Sequence, residues 1–230
     1  MPALGQQLRA KSFARNGFVR VPDVLSGHSA DIARHIEMGS GASGGTRCLL
    51  ATAWCAALAD RLREHPELAM LLPKGHVAVQ CTYFEKSSAR NWLVSLHQDL
   101  SIPMAERIDG SGWSGWSEKE GAVFVQPPVA VLEQLVAVRL HLDPCTASDG
   151  PLRVVPGSHT RGVLAPDAAA AVRDAQGEAL CEAEVGSALV MRPLLLHASS
   201  KSMGSGRRRV LHFLFGPPSL PHGLRWQTAV

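Results

Sequence analysis

The first third of the chain carries its apolar residues at helical spacing, and the remainder carries them at alternate positions. Over residues 4–16, Leu4, Leu8 and Phe13 stand among polar neighbours and Gly17 follows, which predicts an amphipathic helix closed by a glycine cap. Residues 18–21 alternate as a short strand, residues 31–38 predict a second helix, and the Gly- and Ser-rich stretch 39–45 predicts a flexible loop. Over 51–63, Trp54, Ala57, Leu58 and Leu62 recur with the helical period, and Pro66 opens a further turn of helix ending at Leu72. From residue 76 onward the pattern is one of short β segments broken by Gly and Pro.

The alternation sorts those segments into faces. In 76–84, Val77, Val79, Cys81 and Tyr83 fall on one face and Gln80 and Thr82 on the other; in 91–99, Trp92, Val94 and Leu96 oppose Ser95, His97 and Asp99. Each strand thus has an apolar back and a polar front, as in a barrel with a wet, functional interior. Residues 136–143 repeat the pattern, setting Val136, Val138, Leu140 and Leu142 against Arg139, His141 and Asp143. An Ala-rich segment, 165–177, reads as a short exposed helix, and 186–191 and 210–215 as strands, the latter with Leu211, Phe213 and Phe215 turned towards the helices. Residues 101–121, with Gly110, Gly112, Gly115, Gly121, Trp113 and Trp116, are long for a plain connection and read either as a lid over a site or as a packed surface loop.

Composition narrows the class. At 230 residues and 24.6 kDa, the chain 1–230 is expected to form a single domain, mostly helical over 1–75 and β over 76–216. A hydrophobic fraction of 46% with 19% charged residues describes a globular protein rather than a disordered one. The net charge of +3 is too small to imply a nucleic-acid partner. The one dense basic run, Arg207-Arg208-Arg209, precedes an apolar strand and reads as its start, with one guanidinium turned inward. The five cysteines are odd in number and widely spaced, which argues against a disulfide framework or a zinc ribbon. With no apolar signal core and no window near the roughly 18 apolar residues of a membrane span, a cytoplasmic protein without a membrane partner is expected. The oligomeric state has no sequence signature.

The candidate chemistry centres on His97-Gln98-Asp99. Alternation along a strand projects His97 and Asp99 to one side and Gln98 to the other, so the pair can grip one metal ion. An imidazole, a carboxylate and a second imidazole make the facial triad of non-haem Fe(II) oxygenases, which leaves coordination positions open. His197, in Leu194-Leu195-Leu196-His197-Ala198-Ser199, is the candidate third ligand. His141 is its rival, although His141 and Arg139 also fit a salt-bridged strand or, facing the cavity, an anion or substrate contact. His159, after the Pro156-Gly157 turn, reads as structural. Arg208 shares a face with Val210 and His212 and points inward, where a guanidinium could hold a carboxylate in a bidentate fork.

His97-Gln98-Asp99, the block running from Asp149-Gly150-Pro151-Leu152 to Pro156-Gly157-Ser158-His159, His197-Ala198-Ser199 and Arg208 together resemble the phytanoyl-CoA dioxygenase-like family of Fe(II)- and 2-oxoglutarate-dependent oxygenases, over about residues 80–215. The resemblance implies a mainly β protein, a double-stranded β-helix or jelly-roll core with the N-terminal helices packed on it. It implies iron held by His97, Asp99 and His197, and the distal carboxylate of 2-oxoglutarate on Arg208 with Ser199 assisting. Gln80 and Thr82, on a polar front, are further candidate cosubstrate contacts. Some relatives replace the metal carboxylate by a small residue and halogenate; Asp99 is present, so hydroxylation by O2 with release of succinate and CO2 is expected. An asparagine often found between the distal histidine and the arginine is absent, Lys201-Ser202 standing there. Arg139 and His141 suggest a small, anionic substrate, and Trp113 could cover an apolar part of it. The competing readings are a jelly-roll metalloenzyme that does not use 2-oxoglutarate and a non-catalytic binding module on the same scaffold.

Overall fold

The computed structural model describes residues 4–39, 45–108 and 112–230; residues 40–44 of the expected flexible loop, and Gly110, lie outside the described residues. In chain order the elements are α1 (Leu4–Asn16), β1 (Phe18–Val21), α2 (Ser29–Gly39), β2 (Gly45–Thr46), α3 (Ala53–Glu64), β3 (Val77–Lys86), β4 (Val94–His97) and β5 (Ile102–Met104). They continue with β6 (Ser114–Lys119), β7 (Ala122–Gln126), α4 (Val129–Leu132), β8 (Val136–His141), β9 (Leu152–Val154), α5 (Pro166–Gln176), β10 (Ala179–Cys181), β11 (Ala188–Met191), β12 (His197–Ser199) and β13 (Arg208–Gly216). Among the described residues no helix is long and apolar enough to cross a membrane.

The strands form three sheets, β1-β11-β8-β13-β3-β2, β10-β9-β12-β4 and β5-β7-β6, and all their pairings are antiparallel. Among the described residues these sheets do not join into one hydrogen-bonded ring, so the interior belongs to a jelly-roll rather than to a closed barrel. The outer face of the six-stranded sheet packs Tyr83, Val138, Leu211, Phe213 and Phe215 against Phe13 of α1, Ile32 and Ile36 of α2 and Leu58 and Leu62 of α3. Fully burying an aliphatic or phenyl side chain of this kind contributes about 2 kcal/mol, so the helices are held by the apolar backs of the strands. The opposite face carries the polar Gln80, Thr82, Arg139, Arg208 and His212 beside apolar residues such as Leu214.

The expected entry of the chain is found: α1 ends at Asn16, and Gly17, at φ +78°, donates its N–H to Phe13 O at 2.8 Å. A Cβ at Gly17 would run into the His159 ring, so His159 is packed against the helix end, away from the site. Residues 66–72 form turns rather than the expected helix. The 101–121 segment is not a plain loop either: it contributes β5 and β6, which flank β7.

Two register shifts alter the expected faces. Between β13 and β3 the pairing passes from Leu214 opposite Gln80 to Phe215 opposite Ala78, which leaves Val79 as an extra residue. Alternation reverses at this bulge, so Ala78 joins Cys81 and Tyr83 in the outer core, while Val77 and Val79 turn to the inner cluster with Ile102 and Met104. Between β12 and β4 the partners pass from His197 opposite His97 to Ser199 opposite Val94. Val94 consequently faces the cavity beside His97, as does Trp92, instead of forming an apolar back.

Candidate metal centre

His97 closes β4 and stands directly across from His197, which opens β12. Asp99 follows in extended chain fixed by its own N–H, which donates to Pro193 O at 2.9 Å. Sheet pairing thus delivers the second histidine to the first, and the two-residue step delivers the carboxylate. Their ligand atoms lie within 4.8 Å of one another, with Asp99 Oδ1 3.5 Å from His97 Nε2 and Asp99 Oδ2 3.7 Å from His197 Nε2.

The protonation pattern suits a cation. His97 Nδ1 lies 2.8 Å from Ser95 O and His197 Nδ1 2.8 Å from Leu195 O. A carbonyl only accepts, so both Nδ1 atoms carry hydrogen and the neutral rings present bare Nε2 lone pairs to the carboxylate. Burial alone would raise the Asp99 carboxyl; His197 and His97 outweigh it and hold the group below the ordinary carboxylate range. Burial holds His197 below its usual value, whereas at His97 the Asp99 carboxylate outweighs burial and raises it. Two lone pairs and an anion converge, and a divalent cation held by all three would resolve that repulsion. The donor set fits Fe(II).

Gln98 does face away, and it is more than a spacer. Its Nε2 donates to Gly162 O at 2.8 Å and to Leu194 O at 2.7 Å, and its Oε1 accepts Leu164 N–H at 2.8 Å. These bonds tie the triplet to the segment leading into His197. Gln98→Leu is expected to cost about 2 kcal/mol by stranding the buried Leu194 carbonyl and the half-buried Gly162 carbonyl and Leu164 N–H, read as a lower midpoint in urea unfolding with an unchanged slope.

The triplet lies at a cavity of about 400 Å3. Gln80, Thr82, Arg139, Ser199 and Arg208 all line it, as expected of the inward faces. Gln80 Nε2 donates to Thr82 Oγ1 at 2.9 Å. Arg208 Nη1 donates to Gly150 O at 2.5 Å, and Ser199 Oγ donates to the same carbonyl at 3.0 Å. Gly150 sits at φ +63°, and a Cβ there would collide with Ser200 O, so only glycine brings its carbonyl to both side chains. Arg207 and Arg209 point the other way, to Glu85, Glu37 and Asp143.

Two expected site residues are elsewhere. Trp113 is buried at 8% exposure in the core cluster with Val125, Leu132 and Trp226, because the segment around it is built into a sheet. His141 does not line the cavity or join the metal group; it is buried two residues beyond Arg139, and burial with Arg139 and Arg208 pushes it down to about 3. The residue missed is His212, whose Nε2 is 3.7 Å from Asp99 Oδ2 and whose burial pushes it down to about 4. Its shared face with Arg208 was the available signal. Lys86 was missed because β3 runs two residues past Phe84: its Nζ donates to Ser199 Oγ and Ser200 O, both at 2.5 Å, behind the cavity wall.

Comparison with solved structures shows the fold. EctD from S. alaskensis aligns with a TM-score of 0.70 at 17% identity, covering 99% of this chain and 86% of that one. SnoN, a non-haem α-ketoglutarate-dependent epimerase from nogalamycin biosynthesis, gives 0.69 at 15% identity, covering 94% and 82%. HygX from Streptomyces hygroscopicus, with nickel, 2-oxoglutarate and hygromycin B bound, gives 0.63 at 20%, covering 92% and 87%. No curated protein matches the chain by sequence. The family model for phytanoyl-CoA dioxygenase matches residues 57–210, well over half of the chain and including His97, Asp99, His197 and Arg208, and the chain belongs to that family of Fe(II)- and 2-oxoglutarate-dependent oxygenases.

Proposed function

We propose that the protein hydroxylates a small molecule, with His97, Asp99 and His197 holding Fe(II), and Arg208 and Ser199 holding the distal carboxylate of 2-oxoglutarate. The observation that carries this reading is a cavity with two bare Nε2 atoms and a carboxylate at one end and an inward guanidinium at the other. Iron and 2-oxoglutarate, when bound, supply the oxidation of a C–H bond by O2 with release of succinate and CO2. The chain contributes position and exclusion. Ser95 O and Leu195 O fix both imidazoles, Gly150 O aims Arg208, and Trp92, Ile102, Phe124 and Leu214 line the cavity with apolar surface that keeps water from the reacting centre.

A small-molecule substrate is supported by the size of the cavity and by the hygromycin B and 5-hydroxyectoine named with HygX and EctD. The chain acts as one domain, and five free thiols suit a cytoplasmic setting. Retention of Asp99 beside both histidines supports hydroxylation.

Adding Fe(II) and 2-oxoglutarate without oxygen should produce a weak visible charge-transfer band. With oxygen, pools of small metabolites should then be screened for stimulated succinate release. The product should gain one oxygen atom; an unchanged mass would indicate epimerisation instead, and the absence of both band and succinate overturns the reading.

A further inference from the structure

The inner face of the six-stranded sheet is ordered in rungs. β13 has β8 on one side and β3 on the other. Arg139 stands opposite His212, and His212 opposite Thr82; two residues on, Val210 stands between His141 and Phe84; two further on, Arg208 is opposite Lys86. The first of these rungs is the metal end, since His212 Nε2 is 3.7 Å from Asp99 Oδ2. The last is the end that Arg208 occupies.

Arg139 does not stay on its own rung. Its guanidinium carbon is 5.4 Å from the centre of the Phe84 ring on β3, whose own ring leans to within 6.2 Å of the His212 ring, so with neighbouring strands about 4.8 Å apart the two side chains meet over the inner face of β13. The guanidinium therefore lies between the metal-end rung and Arg208, beneath the course that any ligand reaching from one to the other would take. The side chain is 6% exposed, its Nε has no hydrogen-bond partner, and among the described residues no carboxylate lies within ion-pair distance of it. Burial, then the charge of Arg208, pushes its pKa down to about 9, and Cys145 and Asp99 are the first groups that pull it back up. A buried cation with no partner is costly, and such a charge is retained where a ligand completes it.

We propose that Arg139 is a second guanidinium of the cosubstrate site, pairing with the carboxylate at the 2-oxo end while Arg208 takes the far one. The cavity then selects a 2-oxo acid with an anion at each end, which rests on the iron and 2-oxoglutarate reading above.

The test uses Fe(II)-loaded protein without oxygen, with binding read from the charge-transfer band for 2-oxoglutarate and for 2-oxobutanoate, which keeps the 2-oxo acid end and lacks the second carboxylate. Arg208→Leu should weaken 2-oxoglutarate about a hundredfold and leave 2-oxobutanoate unchanged, whereas Arg139→Leu should weaken both about tenfold. Arg139→Lys should recover part of that loss, since it restores charge without the fork. The metal-free Arg139→Leu protein should melt no lower than wild type, an outcome that a structural arginine would reverse. An Arg139→Leu protein that binds 2-oxobutanoate like wild type overturns the proposal, whatever it does to 2-oxoglutarate. A wild-type protein giving no band with either acid overturns the iron reading itself, so the two failures are distinct.

Discussion

His197→Ala is expected to remove Fe(II) binding and to lower succinate formation by more than about a hundredfold, because loss of even an outer-shell partner costs 10–100-fold in affinity or activity and His197 would contact the metal itself. His197 is buried at 5% exposure with its ring centroid 4.2 Å from that of His97, so the substitution also opens a cavity and lowers stability in the absence of metal. His97 is partly exposed, and His97→Ala should lose the metal with a smaller cost to the fold. The two effects separate in thermal melts. Fe(II) at a hundred times its dissociation constant should stabilise the wild type by about 2.7 kcal/mol, and neither variant should respond. A variant that still shows the metal-dependent shift would remove that histidine from the metal site.

How far this centre was legible depended on where the strands stay regular. His97 and Asp99 lie past the β4 shift, so their two-residue step still places both on one side, and the step could be read from spacing alone. Along β8 and β13, over residues 208–214, alternation is unbroken and puts Arg139, Arg208 and His212 inward as the sequence suggests. It fails at Val77, Val79 and Val94, because a bulge inserts one residue and reverses every face beyond it, and nothing in a Val-rich run marks where the insertion falls. Trp113 was misplaced for a different reason: its glycine-rich neighbourhood reads as loop, whereas the chain there enters the β6–β7 hairpin, in which Lys119 stands opposite Ala122, and Trp113 packs into the core beneath it. His197 had no local signal beyond being a histidine near a strand; its pairing with His97 is a property of the sheet. His141 and His212 face each other's neighbours across β8 and β13, and only the position of Asp99 decides that His212 approaches the centre.

The run Arg207-Arg208-Arg209 offers the sharpest separation of roles by position. Arg208→Ala is expected to raise the 2-oxoglutarate requirement about a hundredfold, since deleting one member of a buried charge pair costs roughly 3 kcal/mol and 1.4 kcal/mol is a factor of ten. Its neighbours should behave differently. Arg207 is half-exposed and pairs with Glu85 and Glu37, while Arg209 pairs with Asp143 and Glu37 on the outer side of the same strand. Arg207→Ala leaves the buried Glu85 carboxylate to Tyr83 and Arg90, so it should lower the melting temperature, and neither outer variant should shift the 2-oxoglutarate requirement more than about twofold. Arg209→Ala strands the largely buried Asp143, which accepts the Arg209 backbone N–H as well as its guanidinium, so its effect should appear in the melting temperature. Stability and cosubstrate affinity should therefore respond to alternate residues of one tripeptide. If Arg207 or Arg209 instead controlled 2-oxoglutarate binding, the inner and outer faces of β13 would be reversed, and the guanidinium that meets the Gly150 carbonyl would have no ligand to serve.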